Sequence, residues 1–550
     1  GAATHYGDAV AALDLEPVIA TLRERVKDRD YLPRLIRRLL LDNPHRVRML
    51  VTPDIGLSAS RESAETARLA EMKENLSSEH TAEILDLAER LRARQGQKDD
   101  PDVLPRVALS DIPAETPSPE PVIESGASTH YCYTTGTNGL VYQQWVSPLP
   151  ALTATEQQHL PLLTALMSEV GVGNLNYLDT QERHSATVGS LSASVSSRAH
   201  RGNEQNSDSF FVLSSKALAD RLQPQLELMS DTLQAARFDE SSRIRDLVSQ
   251  MRARRDQGIT GSGHALAMTA ACAGMSPLAK RGHEQGGLEG IRTLRALDDV
   301  LKDEGELDAF AHSLRAIHQK LAGAGAPLLC TVADDPNIQS AREAAAQCAG
   351  ALPTNSHDGI VLEPVRAAIQ EIWVTNTQVN FCAKAYPTVP SGHPDAPPLS
   401  VLAAFLRNGF LHRTIREQGG AYGGGASHDP NIAAFRFFSY RDPRLVETLD
   451  DFDASIIWLL ETQHEQLALE EAILSVMASL DKPGSPAGEA KRDFHERLFG
   501  CTAEHRRILR AGIVGTTLDD LRRVTETYLK PELASTAVIT HTAGADIVAG

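Results

Sequence analysis

The sequence predicts an α+β protein built from repeated modules. Strand-like alternation and helical periodicity are mixed within each long stretch of chain. A helix–turn–strand unit recurs at residues 18–52, 310–332 and 518–541. Those separations are too long for a solenoid and mark duplication of a whole module.

In the first copy, Val18, Ile19, Leu22, Val26, Leu32, Leu35, Ile36, Leu39 and Leu40 keep near-helical spacing over residues 18–42. Pro33 is expected to kink or divide that helix. Asn43-Pro44 is expected to stop it, and residues 46–52 to form a strand. This copy comes so early that the sequence is expected to begin inside a module. Residues 60–95 follow as two charged helices. Leu69, Met72 and Leu76 share one face, Ser77-Ser78 breaks the run with Ser78 as candidate N-cap, and Ile84, Leu87 and Leu91 continue on the second helix. This helical hairpin reads as a linker between modules or as a partner-binding arm. Proline-rich residues 99–121 lead onward.

The next module opens at residues 129–145, where Asn138-Gly139 between strand-like flanks signals a hairpin. Helices are expected at 156–169, 217–235 and 241–255, with strands at 185–197 and 209–214. The last module opens near Glu371 with alternating Trp373, Thr375, Thr377, Val379 and Phe381. It continues through a helix at 399–415, a glycine-rich loop, a strand at 433–440 and helices at 444–461 and 470–479.

A length of 550 residues suggests three or four domains. The net charge of −18 argues against a nucleic-acid partner and would suit basic peptides. The six cysteines include no CxxC pair, so they read as reduced thiols of an intracellular protein, in the cytoplasm or an organelle matrix. No apolar run is long enough to span a bilayer, so no membrane partner is expected.

The sequence holds no Walker loop, GxGxxG or GxSxG, and none of its 19 histidines begins an HExxH or HxxEH. Two near-misses remain. Glu79-His80 lacks the first ligand of such a motif. Cys501-Thr-Ala-Glu504-His505 puts a cysteine, which can bind zinc, where the first histidine of an inverted motif would stand. Both read as coincidence, and no metal ligand is expected in this chain. His264, His412 and His428 read as ordinary polar or half-buried histidines. What stands out is residues 416–425, Arg-Glu-Gln-Gly-Gly-Ala-Tyr-Gly-Gly-Gly. The glycines permit φ > 0 and close backbone approach. Arg416 and Tyr422 are donors suited to holding carbonyl oxygens. The same residues also fit a glycine C-cap with an arginine at the negative end of the helix dipole.

Taken in order, these segments resemble the C-terminal half of the presequence protease-like peptidases, in the pitrilysin/insulinase family of inverted-motif zinc metallopeptidases (inverzincins). The matches are Phe410-Leu-His-Arg-Thr-Ile-Arg-Glu-Gln-Gly-Gly-Ala-Tyr-Gly-Gly-Gly425, Ser439-Tyr-Arg-Asp-Pro443, Thr137-Asn-Gly-Leu-Val-Tyr142, Gly189-Ser-Leu-Ser-Ala-Ser194 and Ser262-Gly-His264. Leu104-Pro105 and Ser110-Asp-Ile-Pro113 add to them.

The resemblance implies mixed α/β sandwich modules in two halves, joined by a helical hairpin and closing over an unstructured peptide. Residues 1–54 would be the tail of the second module, 55–103 the hairpin linker, 104–356 the third module and 357–550 the fourth. Zinc and its HxxEH helix would belong to the N-terminal half, the partner of this chain. The chain alone is therefore expected to hold no zinc and to hydrolyse nothing. Carried over by position, Arg416 would hydrogen-bond a substrate carbonyl and Tyr422 would donate to the oxyanion. Gly419, Gly420 and Gly423 would line the substrate's path. A second reading keeps the fold without the catalysis, as a structural or assembly subunit; the intact Arg416 and Tyr422 favour the peptidase.

Overall fold

The computed structural model describes residues 1–97, 103, 107–126, 128–352 and 358–549. The start of the proline-rich stretch at residue 99, the Leu104-Pro105 match and the module boundaries expected after residues 103 and 356 lie outside the described residues. Two compact units divide the chain, residues 1–105 and 106–550.

In the first unit, helices Glu16–Arg25 and Tyr31–Ile36 replace the single helix expected at 18–42, with wider helical turns over Arg37–Leu41. The break precedes Pro33. That proline sits in the first turn of its helix, where a backbone N–H has no intrahelical partner to lose. Residues 46–52 are not a strand. Val47, Met49 and Val51 are exposed, and no described strand lies beside them to complete a ladder. Helices Leu57–Glu74 and Ser78–Gly96 follow as expected. The cap is Ser77, one residue before the expected Ser78, and its side chain accepts from the His80 N–H at 3.1 Å. Leu69, Met72, Ile84, Leu87 and Leu91 are all exposed, and no described residue of this unit is buried.

The second unit holds two mixed sheets. The first comprises β1 (Val122–Ser125), β2 (Thr129–Thr134), β3 (Leu140–Pro148), β4 (Ser190–His200), β5 (Asn203–Leu218) and β6 (Leu328–Ala333), in the order β1-β2-β6-β3-β5-β4. Asn138 and Gly139 do take positive φ, 52° and 77°. They do not close the expected hairpin, because β6 lies between β2 and β3. The Gly139 N–H donates instead to Asp334 Oδ2 at 2.8 Å, just past the end of β6. Two expected boundaries also move. The helix placed at 217–235 begins at Leu222, after β5 ends, and the strand placed at 185–197 begins at Ser190, after helix Tyr177–Thr187.

The second sheet comprises β7 (Gln370–Val374), β8 (Phe381–Pro387), β9 (Gly423–Asp429), β10 (Ala434–Tyr440) and β11 (Ser535–Thr540), in the order β7-β11-β8-β10-β9. The alternating run from 371 to 381 is thus two strands, separated so that β11 can enter between them. The two sheets share this plan. In each, a late strand runs parallel to one early strand and antiparallel to the next. The late strands follow helices Glu304–Ala322 and Leu518–Tyr528, the second and third copies of the recurring unit.

Each sheet buries one face under helices of its own stretch of chain. Trp145, Phe211 and Leu213 meet Leu163, Leu226 and Phe310; Phe435 and Phe437 meet Leu402, Phe405 and Phe452. The second faces are covered by exchange. Helix Pro486–Leu498 brings Ala487, Ala490 and Phe494 onto Tyr133, Val146 and Val332 of the first sheet. Helix Gly263–Ala271 brings Ala267 and Ala270 onto Phe381, Ala383 and Ile539 of the second. Burial of apolar area stabilises both contacts, at about 25 cal/mol per Å².

Candidate functional site

The site grows from the longest apolar helix. Helix Ala396–Leu406 runs without a break into a wider, i→i+5 helix, Arg407–Gln418, with Leu402, Phe405, Leu406, Leu411 and Ile415 buried. Wide turns of this kind are uncommon and gather at functional sites. Gly419 N–H donates to Thr414 O at 2.9 Å, Gly420 N–H to Arg416 O at 3.2 Å and Ala421 N–H to Ile415 O at 3.1 Å. Gly420 ends the helix at φ +78°. A glycine cap is therefore present, and Arg416 stands in the last helical turn.

The expected glycine-rich loop is shorter than its glycines. Gly423, Gly424 and Gly425 belong to β9, and only Gly420 of the run has positive φ. Gly424 is required for room instead: a Cβ there would lie 2.8 Å from Ile415 Cγ2. The expectation that valine fails at Gly424 through φ is thus replaced by a clash between strand and helix. Gly419 lies against the Arg444 guanidinium, which is paired with Asp451 at 2.8 Å, and Gly423 faces open space.

Tyr422 is 66% exposed, so it is not a core residue. Its ring meets Tyr440 edge-on at 5.4 Å, and the Arg416 guanidinium lies over it at 6.0 Å. Its N–H donates to Arg441 O at 3.3 Å. No described carboxylate pairs with Arg416, and no described group hydrogen-bonds the Tyr422 hydroxyl. Both sets of donors are free.

The platform beneath is fixed. The Tyr440 hydroxyl donates to Gly261 O at 3.2 Å, and its ring meets His264 at 4.6 Å. Asp442 is fully buried; it accepts from the Arg444 N–H at 3.0 Å and the Thr448 hydroxyl at 2.8 Å, which pins the turn after β10. Burial raises the Asp442 carboxyl above its ordinary range. Three motifs distant in sequence, 262–264, 416–425 and 439–443, thus meet at one place. Arg416, Gly419, Gly420, Tyr422 and Gly423 are brought together as expected. Tyr440, Arg441 and His264 join them. The motif matches contained those three residues, but only the fold brings them to the site.

The other candidates lie elsewhere. His428 is held between the hydroxyls of Thr388 and Ser400, at 3.2 Å each, and burial pushes it down to about 3. His412 lies beside Glu417 on the surface. Cys501 accepts from the Arg201 guanidinium at 3.7 Å, and burial raises its thiol. Thr502 and His505 hydrogen-bond each other as the cap of helix Ala503–Val514. Among the described residues no group of three His, Cys, Asp or Glu is placed to hold a metal ion. The residues of this chain therefore do not fit the zinc that the resemblance implies.

Comparison with known proteins matches this picture. A family profile for the associated domain of M16 peptidases of subfamily C matches residues 51–297, and one described as the PreP C-terminal domain matches residues 370–541. Presequence protease 1, chloroplastic/mitochondrial, of Arabidopsis thaliana is 27% identical over 493 residues, covering 89% of this chain and 45% of its own length. The mitochondrial presequence protease of Danio rerio is 27% identical over 555 residues, covering 96% and 53%. The chain spans about half the length of the curated relatives it matches. A peptidase M16 inactive domain from Pseudomonas fluorescens has a similar fold, with TM-score 0.54 and 16% identity over 77% of this chain and 98% of that one. So does the periplasmic protease PqqL from Escherichia coli, with TM-score 0.51 and 17% identity over 86% and 51%. The fold and the two profiles define the C-terminal half of an M16-type peptidase. Within that class the chain belongs to the presequence protease-like peptidases.

Proposed function

We propose that this chain completes the cleavage site of a zinc metalloendopeptidase whose zinc is held by the N-terminal half. The assembled enzyme degrades unstructured, presequence-like peptides in a closed chamber. The modules divide as 1–54, 55–103, 104–356 and 357–550. The observation that carries this reading is the pair of free donors, Arg416 and Tyr422, on a rigid helix end.

Arg416 donates to a carbonyl oxygen of an extended substrate. Tyr422 donates to the oxygen of the scissile carbonyl, whose negative charge grows as the carbon becomes tetrahedral. Its edge contact with Tyr440 and the guanidinium above its ring keep the hydroxyl in place before substrate arrives. Donors that meet only backbone are indifferent to side chains, which suits varied unfolded peptides. The partners are the zinc-bearing half and the peptide. All six cysteines are free thiols, which supports a reducing compartment, the cytoplasm or an organelle matrix.

Arg416 meets a carbonyl in both ground and transition states. Arg416→Ala, in the protein joined to its zinc-bearing half, should therefore raise KM roughly tenfold or more with kcat little changed. An unchanged KM would remove Arg416 from the substrate site.

A further inference from the structure

Arg441 is a third donor beside this site, and its chemistry differs from that of Arg416. It follows β10 directly and holds φ at +48°, a left-handed backbone that a side chain bearing Cβ rarely adopts. Such conformations persist where surrounding structure imposes them, and they gather at ligand sites. Here Asp442 and Thr448 fix the turn, and the Arg441 carbonyl accepts the Tyr422 N–H. The guanidinium lies over the Tyr440 ring at 5.3 Å. Stacking on a ring face leaves the edge donors of a guanidinium open. No described carboxylate pairs with it, although carboxylates outnumber cations in this chain, 72 to 54.

We propose that Arg441 takes a carboxylate of the bound peptide, and so gives the site a preference for substrates that carry one nearby. This rests on the proposed peptide-binding role of Arg416 and Tyr422. Arg416 lies over Tyr422, Tyr422 meets Tyr440, and Tyr440 carries Arg441. A backbone held at Arg416 therefore passes close to a preset, unneutralised fork. The planar fork matches the two oxygens of a carboxylate, whereas a single carbonyl oxygen uses half of it. A carboxylate can come from the peptide C-terminus or from an Asp or Glu side chain.

The test is binding of labelled peptides to the 550-residue chain, read by fluorescence anisotropy at low salt. Three peptides share one neutral sequence: one with a free C-terminus, one amidated, and one amidated with a single Glu. The wild type should prefer at least one carboxylate-bearing peptide over the plain amide. Arg441→Ala should weaken that peptide by roughly three- to tenfold and leave the amide unchanged. Arg441→Gly, which relieves the backbone strain, should lose the preference equally, and Arg441→Lys should keep part of it. The peptide that loses affinity identifies the source of the carboxylate. Equal weakening of all three peptides, or no change in any, overturns the role of Arg441. Arg416→Ala separates the two readings: if it weakens all three while Arg441→Ala weakens none, the site stands and this inference falls. If no peptide binds the wild type, both fall.

Discussion

Tyr422→Phe, in the protein joined to its zinc-bearing half, is expected to lower kcat by roughly 10²–10³ while KM moves little. The substitution removes one hydroxyl and keeps the ring. The contacts with Tyr440 and Arg416 are made by that ring, so the platform survives. At 66% exposure with no described partner for the hydroxyl, little folding energy is at stake. A ground-state carbonyl is a modest acceptor and an oxyanion a strong one, so the loss falls on the transition state. One such donor is worth about 2.7–4 kcal/mol. Steady-state kinetics with melting temperatures as a control measure it, and a wild-type kcat would leave Tyr422 as structure only.

Asp493→Ala is expected to destabilise the second unit by about 3 kcal/mol, near the lower end for removing one partner of a buried charge pair. Its side chain is 1% exposed and serves four groups. Oδ2 accepts from the Tyr133 hydroxyl at 2.9 Å and from Arg497 at 2.5 Å. Oδ1 accepts from Ser118 at 3.0 Å and from Arg506 at 3.3 Å. Tyr133 lies on β2 and Asp493 on the exchanged helix, so this carboxylate ties that helix to the first sheet. Its loss leaves the buried Tyr133 hydroxyl without an acceptor. Arg497 and Arg506 are about a third exposed, and Arg506 keeps Glu496, which holds the cost near ~3 rather than ~5 kcal/mol. Denaturant melts of the two proteins measure the difference; a change below about 0.5 kcal/mol, the range of ordinary surface substitutions, would show that the network adds nothing.

Local pattern reached far into this fold, and failed where structure is decided at long range. The helix at 399–415 and the strand at 433–440 could be read because continuous apolar spacing and glycine punctuation sit within a few residues of each other. The Asn138-Gly139 turn was legible, but its hairpin was not: the strand that displaces the pairing, β6, lies far downstream, at residues 328–333. Residues 46–52 alternate like a strand, yet alternation alone supplies no ladder partner. Neither exchanged helix could be foreseen, since periodicity shows that a helix has an apolar face and not which sheet receives it. At the site, Arg416 and Tyr422 stood out against bare glycines. The reason for the glycines did not, because the Ile415 contact at Gly424 depends on how closely a strand and a helix pack. Tyr440, Arg441 and His264 gain a role only when helix Gly263–Ala271 crosses the second sheet.

The most direct test is peptide hydrolysis by three proteins: this chain alone, the chain joined to its zinc-bearing half, and the joined protein carrying both Tyr422→Phe and Arg416→Ala. Hydrolysis is expected only in the joined protein. The double variant should be nearly inactive, with an unchanged melting temperature. Turnover by the chain alone, or full turnover by the double variant, would contradict the assignment of these two donors to a shared active site.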